Sequence, residues 1–220
     1  ELGILTTDKS EDGTIHITME VAEQCIQKRA IRYDKSGDNH YDTVSAFIKS
    51  MRGSDPDAAL YYLAKMLYAG ESVEFIARRI MISAAEDVGM ADPNALTVAV
   101  SAANAVHQIG MPEAKIILAE AVVYMATAPK SNASYMGLEK AMSAVQNTKI
   151  SRIPVHLMDA HYKGAAKLGH GDGYKYAHDY ENHYVNQQYL PDELVNEVFY
   201  NPGDLGYEVK VKEHFKKIKG

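Results

Sequence analysis

Apolar and polar positions alternate along this chain with two different rhythms. From about residue 40 to 148 the apolar residues recur at helical spacing. Val44, Phe47, Ile48 and Met51 fall at i, i+3, i+4 and i+7, the signature of an amphipathic helix. Gly53 is placed to end that helix, and Asp55 followed by Pro56 supplies an N-cap with proline at the first helical position. The next helix turns Leu60, Leu63, Met66 and Leu67 inward and stops near Gly70. Ser72 then caps a helix through "VEFIARRIMISAAED", Asp92-Pro93 opens one through "NALTVAVSAANAVHQI", and Pro112 opens "EAKIILAEAVVYMATA". After the break at "PKSN" (129–132), Tyr135, Leu138, Met142 and Val145 form a further apolar stripe. About six helices joined by connections of a few residues favour antiparallel neighbours, hence an all-α helical bundle or stacked helical hairpins. No fixed repeat points to a solenoid.

The flanks read differently. "TIHIT" (14–18) alternates like a short strand, "EVAEQCIQKRA" (20–30) places Val21, Cys25 and Ile26 on one helical face, and "YDKSGDNHYD" (33–42) reads as a loop or linker. Beyond Pro154 the chain is rich in Gly, His and Tyr and loses its helical period, so 151–220 is expected to be an irregular extension packed on the bundle, partly through its tyrosines. Within it we expect a short helix at 191–198 and an alternating tail, "YEVKVK" (207–212).

Composition narrows the classes. Apolar residues are 46% of the 220, enough for a core, and the formal charge of -6 argues against a strongly basic nucleic-acid module while leaving room for a local basic patch. One cysteine, Cys25, excludes an internal disulfide and a cysteine-rich metal site and suits a reducing cytoplasm. No apolar run approaches the ~20 residues of a membrane span, and no secretory signal is present. The first residue is Glu1 rather than Met, which points to a segment of a longer protein.

Candidate chemistry is sparse. No phosphate loop of the form G-x-x-x-x-G-K-[ST], no G-x-G-x-x-G and no G-x-S-x-G occurs, so no catalytic or nucleotide-binding residue is assigned and the chain alone is not expected to be an enzyme. His156, His161, His170, His178 and His183 lie near several carboxylates, but their spacings lack the H-x-x-x-H pair of a helical metal site, and we assign no metal. Glu86 and Asp87 are paired carboxylates that point in different directions on a helix, and a structural pairing with Arg78 or Arg79 is expected for one of them. Arg78 and Arg79 suit phosphate or internal carboxylates about equally. "APKSNASY" sets Lys130, Ser131 and Asn132 at a helix start, readable as a phosphate-binding turn or, better, as a capping turn. In "FIKSMRGSDPDAAL", Lys49 and Arg52 complement the last turn of one helix, and Asp55 and Asp57 the first turn of the next. Lys49, Arg52, Asp55, Arg78, Arg79 and Lys130 are therefore the candidate DNA or subunit contacts.

Taken together, "YDKSGDNHYDTVSAFIKSMRGSDPDAALYYLAKML", "ARRIMISAAEDVGMADP", "GMPEAKIILAEAVVYMATAPKSNASY" and "FYNPGDLGYE" resemble the C-terminal region of the replication-associated recombination protein A family. These are bacterial AAA+ ATPases related to clamp-loader subunits and to the Werner helicase-interacting protein. The resemblance implies that 1–35 is the end of an AAA+ lid domain and linker, 36–150 a clamp-loader collar-like oligomerisation domain, and 151–220 its extension. It implies ATP and Mg bound upstream in the intact protein and a homotetramer held by this region. It further implies action at DNA ends and single-strand/duplex junctions with single-stranded-DNA-binding protein, in a bacterial cytoplasm at the replication fork. The principal reading is a scaffold for a DNA-dependent ATPase. The alternative is a module that itself contacts DNA phosphate through Lys49, Arg52, Arg78, Arg79 and Lys130.

Overall fold

The computed structural model describes residues 38–149, 152–162 and 165–219, together with Met19. Among these residues there are seven α-helices and no strand: α1 Asp38–Arg52, α2 Pro56–Tyr68, α3 Val73–Ser83, α4 Asn94–Ile109, α5 Ala114–Thr127, α6 Ala133–Asn147 and α7 Tyr207–Lys219. A π turn, Ala84–Val88, and a 3-10 turn, Gly89–Ala91, join α3 to α4. The expected strand at 14–18 and helix at 20–30 lie outside the described residues.

The helices begin and end where local chemistry requires. Asp55 is in an extended conformation and its carboxylate accepts from the Ala58 amide at 2.9 Å, with Pro56 at the first helical position. Ser72 does the same for α3, its Oγ accepting from the Phe75 amide at 3.2 Å. Gly70 leaves α2 at a φ of 75°, and Glu71 N returns to the Met66 carbonyl. α1 ends at Arg52 with Gly53 next, as the sequence indicates, and the left-handed position falls one residue later, on Ser54 (φ 60°).

Helices α1 to α5 make the core. α5 packs against each of α1, α2, α3 and α4. Its sequence is apolar nearly all round, as a central helix must be. Phe47 and Met51 from α1, Met66 from α2, Ile76 and Ile80 from α3, Val106 from α4 and Leu118, Val122 and Met125 from α5 are fully buried. Each such side chain contributes about 1.5–3 kcal/mol relative to exposure. Val44 and Leu63 are buried too, and Ile48, Leu60 and Leu67 pack half-buried around them, so the apolar faces expected for α1 and α2 are those that fold inward.

α6 differs. Only Gly137 of its residues is buried. A Cβ there would stand 2.9 Å from the Phe199 carbonyl, so the helix meets the returning chain backbone to backbone. Its stripe of Tyr135, Leu138, Met142 and Val145 faces outward, 43–64% exposed.

Four expectations are corrected. Residues 38–42, read as part of a loop, are the first turn of α1. The helix expected at 191–198 is a single 3-10 turn, Asp192–Leu194, because only Leu194 is buried and no apolar face holds a longer helix against the fold. The tail "YEVKVK" is the start of α7: Glu208 is buried and Val211, Lys212, Phe215 and Ile218 are half-buried, a helical spacing that a six-residue window conceals. Most tyrosines of the extension, Tyr174, Tyr176, Tyr180 and Tyr189 among them, are exposed rather than packed. Within the C-terminal part the organising residue is Glu208, whose fully buried carboxylate accepts from Tyr200 Oη at 3.0 Å and from the Gly203 amide at 2.7 Å; Lys140 of α6 ties this part to the bundle by donating to the Val198 carbonyl at 2.9 Å. Burial, then the bond to Glu208, pushes the Tyr200 phenol up to about 12.

Candidate functional site

The charged candidates gather around the C-terminal end of α1. In the π turn the i→i+5 pattern widens the helix, and the Gly89 amide closes it on the Ala84 carbonyl. In a regular α-helix neighbouring side chains diverge by about 100°. Here Glu86 and Asp87 both reach one guanidinium: Arg52 Nη2 donates to Glu86 Oε1 at 2.9 Å and Arg52 Nε to Asp87 Oδ1. Ser83 Oγ donates to the other oxygen of Asp87 at 2.9 Å, and the Asp87 carbonyl accepts from the Ser131 amide at 2.8 Å. Asp87 is buried, Arg52 about half in solvent. The hydrogen bond to Asp87 raises the Arg52 pKa further above its ordinary value. This corrects the expectation that Glu86 or Asp87 pairs with Arg78 or Arg79. The true partner is 34 or 35 residues away in sequence, where no local spacing rule reaches.

Lys130 is also committed inside the molecule. Its Nζ donates to the Ala128 carbonyl at 2.6 Å and to the Ala126 carbonyl and Ser54 Oγ, each at 3.1 Å. Burial holds its pKa below the usual lysine range. It fastens the α5–α6 connection to the α1–α2 turn. In the adjoining turn Ser131, not Asn132, supplies the side chain, its Oγ accepting from the Ala133 amide at 3.2 Å. The stretch is a capping turn in its geometry.

The remaining cations face solvent or a cleft. Arg78 lies on the exposed face of α3 with its guanidinium 5.8 Å from the Phe75 ring centre. Lys49 is exposed. Lys49, Arg52 and Arg79 together line a cleft of about 360 Å³ between α1 and α3, along with Tyr41, Ser45 and Glu86. Arg79 Nε is buried and has no hydrogen-bond partner. The structure thus brings Lys49, Arg52 and Arg79 together, sets Lys130 on the far side of Arg52, and sends Arg78 elsewhere. Asp55 serves its helix.

The histidines of the extension are engaged individually. His161 Nδ1 lies 2.8 Å from Asp159, His170 Nδ1 2.9 Å from Tyr162 Oη, and His156 Nε2 2.7 Å from the Gln188 carbonyl. His178 and His183 pack against each other with ring centres 4.9 Å apart and planes tilted by 51°. Among the described residues no three His, Cys, Asp or Glu side chains converge as metal ligands, and no helix is long and apolar enough to cross a membrane.

Comparison with known proteins fits these features into a family. A family model described as MgsA AAA+ ATPase C terminal matches residues 53–219, and one described as AAA C-terminal domain matches residues 1–52. Replication-associated recombination protein A of Bacillus subtilis is 48% identical over 219 residues, 99% of this chain and 52% of that protein. Its namesake from Escherichia coli K12 is 40% identical, over 92% of this chain and 46% of its own length. ATPase WRNIP1 of Dictyostelium discoideum is 36% identical, over 84% of this chain and 21% of its own length. The chain spans about half the length of the bacterial relatives it matches. An all-α bundle carrying the "GSDPDAAL", "GMADP" and "FYNPGDLGYE" junctions, matched over most of its length, belongs to the MgsA AAA+ ATPase C-terminal family.

Proposed function

We propose that this chain is the self-association and scaffold region of a DNA-dependent AAA+ ATPase that acts in replication-fork maintenance, recombination and repair. The observation that carries the reading is the outward apolar stripe of α6. Tyr135, Leu138, Met142 and Val145 lie along one side of a helix that buries only Gly137 against its own chain. An exposed apolar stripe of this kind marks protein contacts.

The names of the relatives support the wider setting, recombination associated with replication. In the longer protein, 1–35 would end the lid domain and 36–150 would hold several ATPase modules in one assembly, a homotetramer. ATP and Mg would be bound by residues outside this chain, whose own residues contain no phosphate loop to receive them. DNA ends and single-strand/duplex junctions, single-stranded-DNA-binding protein and a place at the replication fork in a bacterial cytoplasm belong to the same reading.

The test is the mass of the chain by light scattering after size exclusion at tens of micromolar. A mass well above 24.3 kDa is expected. Leu138→Glu with Met142→Glu should return it to the single-chain value, since both side chains lie on the exposed face of α6. A strictly monomeric wild-type chain overturns the reading.

A further inference from the structure

The cleft between α1 and α3 has a charge balance that its own residues leave open. Arg52 is answered by Glu86 and Asp87. Lys49 and Arg79 also line the cleft, and neither makes an ion pair among the described residues. Counting Lys49, Arg52 and Arg79 against Glu86 and the Asp87 behind Arg52, the balance is a formal +1 in a chain whose total is -6. Arg79 Nε is itself withdrawn from water without a hydrogen bond, so a ligand in the cleft would meet the Nη end of the guanidinium rather than Nε.

We propose that this cleft is a phosphate-binding site, with Arg79 and Lys49 as its charged donors and Ser45 as its hydroxyl donor. Ser45 and Lys49 are four residues apart on α1 and so share one face, opposite Arg79 of α3. An arginine fork, an ammonium and a hydroxyl suit the tetrahedral oxygens of phosphate, and its charge matches the two cations that lack partners. A carboxylate brings one charge and two coplanar oxygens and satisfies less of this set. Arg52 stays with its acids and forms the wall. Tyr41, exposed at the mouth, offers an aromatic face beside the cations. The phosphate is therefore either free or part of a nucleic-acid strand, whose bases stack on such faces. The inference is independent of self-association: the α6 stripe and this cleft share no residue.

The test titrates the 220-residue chain with inorganic phosphate, with acetate, and with a short single-stranded oligothymidylate at low salt, following amide shifts of Ser45, Lys49 and Arg79 by NMR. Saturable shifts with phosphate, weaker with acetate, are expected. Lys49→Ala and Arg79→Met should each weaken binding about tenfold, the scale of one charge-assisted hydrogen bond. Arg79→Met should do so with the melting temperature unchanged or raised, because it removes a buried donor that has no partner. Oligonucleotide binding that both substitutions abolish assigns the phosphate to a strand, and response to phosphate alone assigns it to a free group. Absence of both responses, substitutions that bind like wild type, or acetate as effective as phosphate overturns the proposal.

Discussion

Arg52 with Asp87 is the contact whose removal should be felt most widely, because it joins α1 to the π turn that also anchors α6. Arg52→Met keeps the aliphatic stem and deletes the charge. Asp87 is 6% exposed, so it is left as a buried carboxylate with Ser83 as its side-chain partner. Breaking a fully buried pair costs about 3–5 kcal/mol. The Arg52 side chain is 47% exposed, so solvent already screens part of the attraction, and roughly 1.5–3 kcal/mol is the appropriate scale. For a chain of this size that lowers the melting temperature by roughly 3–10 °C. Asp87→Asn should cost about 1–2 kcal/mol, since the amide keeps its shape but loses the charge-assisted bond. The decisive measurement is the double-mutant cycle by urea unfolding followed at 222 nm. The double variant should be less destabilised than the sum of the singles by at least about 1 kcal/mol. Molar salt should weaken the outer Arg52–Glu86 pair and leave most of that coupling. Singles that add within about 0.5 kcal/mol would show that Arg52 and Asp87 act separately, and the junction described here would be wrong.

Two further outcomes follow from the C-terminal junction. Gly206 has a φ of 57° and a Cβ there would lie 2.0 Å from the Ala91 carbonyl oxygen, a backbone atom that cannot step aside, so Gly206→Ala should cost about 2–4 kcal/mol and expose α7 to proteolysis. Tyr200 has its phenol raised from 10.0 to about 12, so the folded state binds more protons than the unfolded state between those values. Stability is therefore retained below pH 10 and lost as pH rises toward 12, by about 1–2 kcal/mol after allowance for solvent screening, and Tyr200→Phe should flatten that slope in pH-dependent urea unfolding.

How far the sequence carries depends on the range of the interaction. Asp55, Pro56, Ser72 and Gly70 are legible because a cap is satisfied within a few residues of itself. The inward faces of α1 and α2 are legible because burial there follows the helical period over two or more turns. The same period on α6 is misleading: Leu138 and Met142 repeat as a core stripe would, yet they face outward, since period shows that a helix has an apolar side and not what covers it. Glu86 and Asp87 were visible as a pair, but their partner was not, because a π turn breaks the angular rule and Arg52 arrives from another helix.

Glu208 shows the deepest reason. In "FYNPGDLGYE" it reads as one more acid in an alternating tail, whereas it is fully buried. It is held by the phenol of Tyr200 and the amide of Gly203, and a Cβ on Gly203 would stand 2.8 Å from its carboxylate. Gly206 approaches Ala91 and Gly137 approaches Phe199 in the same way. What makes this stretch distinctive is a set of backbone approaches that only glycine permits, arranged around one buried carboxylate. That is a tertiary property, and it writes itself into the sequence as a string of small and polar residues that local rules score as a loop.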